Sequence, residues 1–282
     1  MAKSKPARSA PVWPPEIRAR PSEVTKFHTC LVAIRIVPDT FSLLIEEPEN
    51  HLSHSNLNEL IGQISERRGD RQLIITTHSS FVLNKLGVES VLLFNRGSCA
   101  TLRDLKQETY KYFLKLPGHD TLRLILSERS ILVEGPSDEL IVQRAFEIKH
   151  GKLPLQAGVD VIAVNSLAFK RFLEIANLLQ RTVDVVTDND GDLAALQAKY
   201  ADYAAHPTIH VHYDEDEQAK TLEPQLLKAN GRDKVNQILG KTYATDDDLL
   251  KFMATNKTEC ALRFFETPMT WDVPEYVRRA IG

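Results

Sequence analysis

Two short apolar runs constrain this chain more than any other feature. Residues 130–138 read SILVEGPSD and residues 183–192 read VDVVTDNDGD. Each is rich in β-branched residues and stops abruptly at carboxylates and a glycine. Bounded apolar runs of this length, without polar alternation, predict strands buried on both faces of a parallel sheet. The loops after the carboxyl ends of such strands gather at one edge, where ligands bind. Glu134 then ends one strand, and Asp188 and Asp190 end another. If those strands are neighbours, their carboxylates converge and raise one another's pKa. A divalent cation relieves that repulsion, and clustered hard oxygens suit Mg2+ or Mn2+. Each motif also has a plainer reading. Asp138 and Glu139 can complement a helix N-terminus, and residues 188–191 can form an ordinary turn. Both motifs in order, separated by helix–strand–helix, favour a functional site.

The unit around these motifs reads as strand 130–133, helix 138–149, strand 159–164, helix 167–180, strand 183–187 and a short strand 208–212. Ser137 and Ser166 are the expected helix caps. Strands alternating with helices imply parallel crossovers and an α/β class. Ahead of this unit, residues 25–105 show a second α/β pattern. A strand at 42–45 runs into EEPENHL, a helix covers 56–67, a strand at 72–76 runs into THSS, and 91–103 reads as a hairpin. Residues 106–128 form a helical linker broken at Pro117-Gly118, and residues 231–282 read as a helical C-terminal segment.

The 282 residues suffice for one large domain or two medium ones, and 43% hydrophobic with 26% charged content is ordinary for a globular chain. A net charge of −3 neither advertises nor excludes nucleic acid, because an acidic site can coexist with a basic groove. Cys30, Cys99 and Cys260 have no ligand-like spacing, so reduced thiols and a cytoplasmic setting are expected. Residues 1–24 are proline-rich and basic without an apolar core, which predicts a solvated arm and not a secretory signal. No run reaches the length of a membrane span.

Two resemblances sharpen this. LLIEEPENHL resembles the Walker B segment and D-loop start of an ABC-type ATPase lobe, and IITTHS resembles its switch-histidine loop. The resemblance implies Glu46 as the Mg2+-associated acid, Glu47 as the water-polarising base and His78 as the γ-phosphate sensor. A phosphate loop of the form GxxxxGK[ST] is missing from the sequence. Its one GKT, at Gly240-Lys241-Thr242, has Val235 at the first glycine position and no preceding strand. The lobe is therefore partial. ATP hydrolysis by this chain alone is not expected, and His78 is either a sensor or a structural histidine.

The second resemblance is more specific. LVEGPSD followed by TDNDGD resembles the TOPRIM nucleotidyl-transfer domain, with a glutamate after the first strand and D-x-D after the third. An ABC-type lobe followed by TOPRIM is similar to the OLD (overcoming lysogenisation defect) nucleases over roughly residues 42–266. The fold this implies is a Rossmann-like parallel-sheet TOPRIM domain at 129–230, with the partial ATPase lobe before it and helices after it. Membership implies Mg2+- or Mn2+-dependent cleavage of DNA at a two-metal site. In that scheme Glu134 and Asp138 serve one ion, and Asp188 and Asp190 serve a second or shared one. Asp192 is a lesser candidate. Glu223, in TLEP, resembles the family's downstream acidic ligand, and Lys257, in NKTECAL, resembles its catalytic lysine. Asn256 and Glu259 read independently as a capping box that sets Lys257 in a first helical turn, where an anion binds well.

Three other readings compete. A silent or regulatory subunit would explain the missing phosphate loop, with a separate polypeptide supplying the other ATPase half or a homodimer forming. A haloacid-dehalogenase-type phosphatase also uses D-x-D-G, although its motif opens the domain. His206, His210 and His212 offer a zinc pair, against which stands a solvated strand edge without a third ligand.

Overall fold

The computed structural model describes residues 31–34, 42–50, 52–67, 72–77, 79, 82, 91–95, 98–115, 123–125, 127–164 and 168–282. The basic arm expected over 1–24, His78, the Pro117-Gly118 break and the Ser166 cap all lie outside these residues.

The first sheet holds β1 (Leu31–Ile34), β2 (Ser42–Glu46), β3 (Gln72–Thr76), β4 (Val91–Asn95) and β5 (Ser98–Thr101), in the order β2-β3-β1-β4-β5. β2 and β3 run parallel, with Ile45 opposite Ile75, and helix α1 (His54–Arg67) makes the crossover such a pair requires. Leu73 and Ile75 of β3 are fully buried while the residues between them are not, so one face of this strand meets the core. β1 lies antiparallel between β3 and β4. Its LVAI run is four residues without flanking turn residues, so nothing local marks its pairing there. The β4–β5 hairpin pairs Phe94 with Cys99. It is shorter than expected: the chain leaves it at a 3-10 turn over Leu102–Asp104, held by the Thr101 amide and hydroxyl donating to Asp104 at 2.9 and 3.1 Å. Helix α2 (Gln107–Lys115) follows.

The second sheet holds β6 (Arg129–Val133), β7 (Val159–Ala163), β8 (Thr182–Val186) and β9 (Ile209–His212), all parallel in the order β7-β6-β8-β9. Its connections run through α3 (Pro136–His150), α4 (Phe169–Leu178) and α5 (Leu193–Lys199). Strand alternation divides the side chains between two cores. Leu132, Val183, Val185 and Ile209 pack with α4 and Tyr200 on one face. Ile131, Val133 and Val186 pack with Ile141, Val142 and Phe146 of α3 on the other. Coverage on both faces is why β6, β7 and β8 read as mostly apolar, with the acids Asp160 and Asp184 met by Arg123 and Arg129. Truncating fully buried Ile141 to alanine would cost about 2–5 kcal/mol.

The C-terminal segment is helical: α6 (Leu222–Asn230), α7 (Arg232–Leu239), α8 (Asp246–Thr255), α9 (Lys257–Glu266) and α10 (Glu275–Ala280). Thr245 caps α8 by accepting from the Asp248 amide at 3.2 Å, with Asp246, Asp247 and Asp248 in the favourable first turn. α9 packs on α3, and α10 lies across β8 and β9. A charged network fastens that last contact. Asp184, buried in β8, receives Arg129 at 2.8–2.9 Å and His212 Nε2 at 2.8 Å, while Arg129 also donates to the Ala280 carbonyl at 2.7 Å. Burial pushes the Asp184 carboxyl up, yet the His212 hydrogen bond and the Arg129 charge outweigh it and hold the group below its usual range. His210 Nδ1 stands 3.6 Å from the same carboxylate. His212 is thus a structural partner of Asp184, which corrects the solvated-edge expectation for that residue, while His210 is exposed on the edge strand.

Candidate metal centre

β6 and β8 are neighbours, so the residues after both strands meet at one edge of the sheet. Glu134 is held there at a fixed angle. Its Oε1 accepts from the Thr187 hydroxyl at 2.6 Å and from the Asp188 amide at 3.2 Å. Both donors follow β8, so the first motif's glutamate is bound to the second motif's backbone. Asp138 lies in the first turn of α3 and accepts from the Gly135 amide at 3.1 Å. Ser137 is therefore not the cap: Gly135 takes that position, Pro136 fixes the first helical residue, and Asp138 reaches back.

The field among these groups is strongly repulsive. Burial, then Glu134 and Glu223, raise the Asp138 carboxyl to about 6. Burial, then Asp138, Glu134, Glu223 and Asp190, raise the Asp188 carboxyl to about 8. The same five acids named from sequence thus act on one another. Glu223 enters from the first turn of α6 and is 5% exposed. One of its oxygens takes the Thr221 hydroxyl at 2.9 Å and the other faces Lys257 Nζ at 3.4 Å. Lys257 opens α9 and is half-exposed. It does so without the expected capping box, because the Asn256 amide donates back to the Phe252 carbonyl and Glu259 pairs with Arg263.

Asp190 is exposed and takes a positive φ of 52°, followed by Gly191 at 80°. Asn189 makes this turn rigid. Its side-chain amide donates to the carbonyls of Asp214 and Asp216 at 2.8 and 3.1 Å, and its oxygen accepts from the Gly191 amide at 2.9 Å. Asp192 instead caps α5 by accepting from the Ala195 amide at 2.9 Å, a structural task that accounts for its carboxylate.

Among the described residues, no three His, Cys, Asp or Glu side chains are drawn together tightly enough to hold one ion as they stand. The donor chemistry nonetheless fits a hard divalent cation. Five carboxylates act on one another here, two of them pushed to about 6 and 8, and hard oxygens of this kind are the donors that Mg2+ or Mn2+ takes. Sequence reasoning missed Tyr276, which is buried on α10 and whose hydroxyl is pushed well up, first by burial and then by Asp188, Asp138, Asp214 and Glu223. A residue so distant along the chain leaves no local signal. Thr187 was visible in TDNDGD, yet its bond to Glu134 needed the pairing of β6 with β8.

In the first sheet, Glu46 ends β2 and is exposed. Glu47 has a φ of 45°, and its amide donates to the Thr76 carbonyl at 2.8 Å. Glu49 accepts from the Thr77 hydroxyl at 2.6 Å, which links EEPEN to the end of β3.

A parallel sheet bearing a glutamate after one strand and D-x-D after its neighbour is the arrangement of a TOPRIM domain. Residues 125–190 match the family model "Overcoming lysogenization defect protein-like, TOPRIM domain". Residues 33–84 match "AAA domain, putative AbiEii toxin, Type IV TA system". Among curated proteins, the chain is 25% identical over 150 residues to "Endonuclease GajA" of Bacillus cereus (strain VD045), an alignment covering 52% of this chain and 26% of that one. The chain thus matches about a quarter of that relative's length. Among solved structures, the C-terminal region of the Burkholderia pseudomallei OLD protein is 19% identical at a TM-score of 0.42, covering 55% of this chain and 95% of that one. The corresponding region from Xanthomonas campestris pv. campestris is 19% identical at a TM-score of 0.41, covering 55% and 92%. The phosphatase alternative receives no support from these matches. Among the described residues, no helix is long and apolar enough to cross a membrane.

Proposed function

We propose that this chain is an endonuclease that hydrolyses DNA phosphodiester bonds with Mg2+ or Mn2+ held by Glu134, Asp138, Asp188, Asp190 and Glu223. In this reading residues 129–230 carry the metal ligands, residues 231–282 supply Lys257, and residues 25–105 are part of an ATPase lobe. The carrying observation is the mutual repulsion of these acids, strong enough to raise Asp188 to about 8 at the edge where Glu134 is tied to the second motif. Name and family point the same way, since the matched relative is an endonuclease.

Bound cations would activate a water and stabilise the leaving oxygen during in-line attack. The chain's own residues set the geometry for this. Thr187 and the Asp188 amide orient Glu134. Asn189 and Gly191 fix the turn that presents Asp190. Lys257 stands 3.4 Å from Glu223, and its ammonium would offset the charge that builds on the scissile phosphate.

The test is cleavage of plasmid DNA by the purified chain with Mg2+ or Mn2+, with and without chelator and ATP. Cleavage should need the metal and fall by at least about 100-fold in Glu134→Ala and Asp188→Ala. Unchanged cleavage by both variants overturns the assignment. Metal binding without cleavage by the wild type would instead favour a regulatory subunit that works with a separate ATPase polypeptide.

A further inference from the structure

Tyr200 ends α5 and is 4% exposed. Its hydroxyl is buried and has no hydrogen-bond partner among the described residues. Buried tyrosine hydroxyls usually have one, and a phenylalanine would fill the same volume without an orphaned polar atom. Packing therefore accounts for the ring and leaves the hydroxyl unexplained.

What the hydroxyl faces is informative. Thr187 lies beside it, with the Glu134 carboxylate beyond. Alternation along β8 explains the approach: Val183 and Val185 belong to the same core as Tyr200, and Thr187 follows them at the same parity. Asp188, one residue on, has the parity of Val186, which packs in the opposite core. The Thr187 hydroxyl has a single proton, and it is donated to Glu134 Oε1 at 2.6 Å. Its oxygen retains lone pairs that can only accept, and Tyr200 is a donor with no acceptor of its own among the described residues.

We infer that Tyr200 is a positioning residue for Glu134. With a cation bound, its hydroxyl turns to donate to Thr187 Oγ1, which commits the threonine proton to Glu134 Oε1 and leaves Oε2 for the cation. Each bond in the chain Tyr200–Thr187–Glu134 polarises the next. The inference rests on the metal reading above. It adds a residue that touches neither cation nor DNA and that neither motif contains.

The experiment compares wild type, Tyr200→Phe, Thr187→Val and the double variant, each as the full chain. Mn2+ affinity is read by titration calorimetry and metal-free melting by calorimetric scan. Tyr200→Phe should weaken Mn2+ binding about tenfold, the scale seen when partners of metal ligands are removed, while its metal-free melting temperature stays level or rises. Because Tyr200 acts through Thr187, the double variant should bind Mn2+ no more weakly than Thr187→Val alone. Wild-type affinity in Tyr200→Phe overturns the inference. So does a loss that multiplies fully in the double variant, or one that only accompanies a lowered metal-free melting temperature. Failure of the wild type itself to bind Mn2+ overturns the metal reading, and this inference with it.

Discussion

Asp188→Asn removes one negative charge from the acidic edge and changes almost nothing in size. The Asp188 carboxyl moves from 3.8 in the unfolded chain to about 8 in the fold. At about 1.4 kcal/mol per tenfold change in proton affinity, holding it ionised above pH 8 costs at most about 5–6 kcal/mol. The neighbouring acids share that repulsion and solvent reaches the edge, so about 2–3 kcal/mol is the reasonable expectation. The sign follows from proton binding. Between about pH 4 and pH 8 the folded chain keeps a proton that the unfolded chain has lost, so this stability is complete below pH 3.8 and disappears as pH rises through about 8. In chelator at pH 8.5, Asp188→Asn should therefore melt about 5–10 °C above the wild type, taking about 2–4 °C per kcal/mol. At pH 3.5, below the unfolded-state value of 3.8, Asp188 is largely protonated in both states and the two should melt within about 1–2 °C of each other. Excess Mn2+ should reverse the order at pH 8.5, because only the wild type gains binding energy from it. A variant less stable than wild type at pH 8.5 in chelator, or a difference that does not depend on pH, would refute the electrostatic reasoning.

Other outcomes follow from single contacts. Arg129→Met leaves the buried Asp184 carboxylate with histidine partners alone and frees the Ala280 carbonyl, so denaturant titration should show a loss of about 3–5 kcal/mol. Asp192→Ala should cost about 1 kcal/mol through the lost α5 cap, and a plasmid assay should show cleavage retained. Lys257→Ala should lower the cleavage rate by about 100-fold or more while calorimetry shows Mn2+ affinity within a few-fold of wild type.

What the sequence revealed and concealed has a physical pattern. β6 and β8 were legible because burial on both faces favours mostly apolar runs, and the carboxylates that end those runs mark the sheet edge. The acids that share this edge were nameable for the same reason, with Glu223 and Lys257 supplied by resemblance. Capping was less legible. Ser137 is the expected cap, but Pro136 takes the first helical position, so Gly135 stands at the cap and Asp138 reaches back to its amide. At Asn256 the motif is present, but its partners lie elsewhere, on Phe252 and Arg263. Tyr276, Tyr200 and the pairing of β1 arise only from tertiary packing and have no local periodic cue.

The claim that these acids exist to hold a divalent cation is tested most directly by Mn2+ titration calorimetry at pH 7 in two buffers of different ionisation enthalpy. Asp188 at about 8 keeps its proton at that pH, so cation binding should expel it. The account predicts saturable Mn2+ binding by the wild type with about one proton released per binding event, and loss of both signals in Asp188→Asn. Absence of binding, or binding that the variant retains with no proton released by either protein, would contradict it.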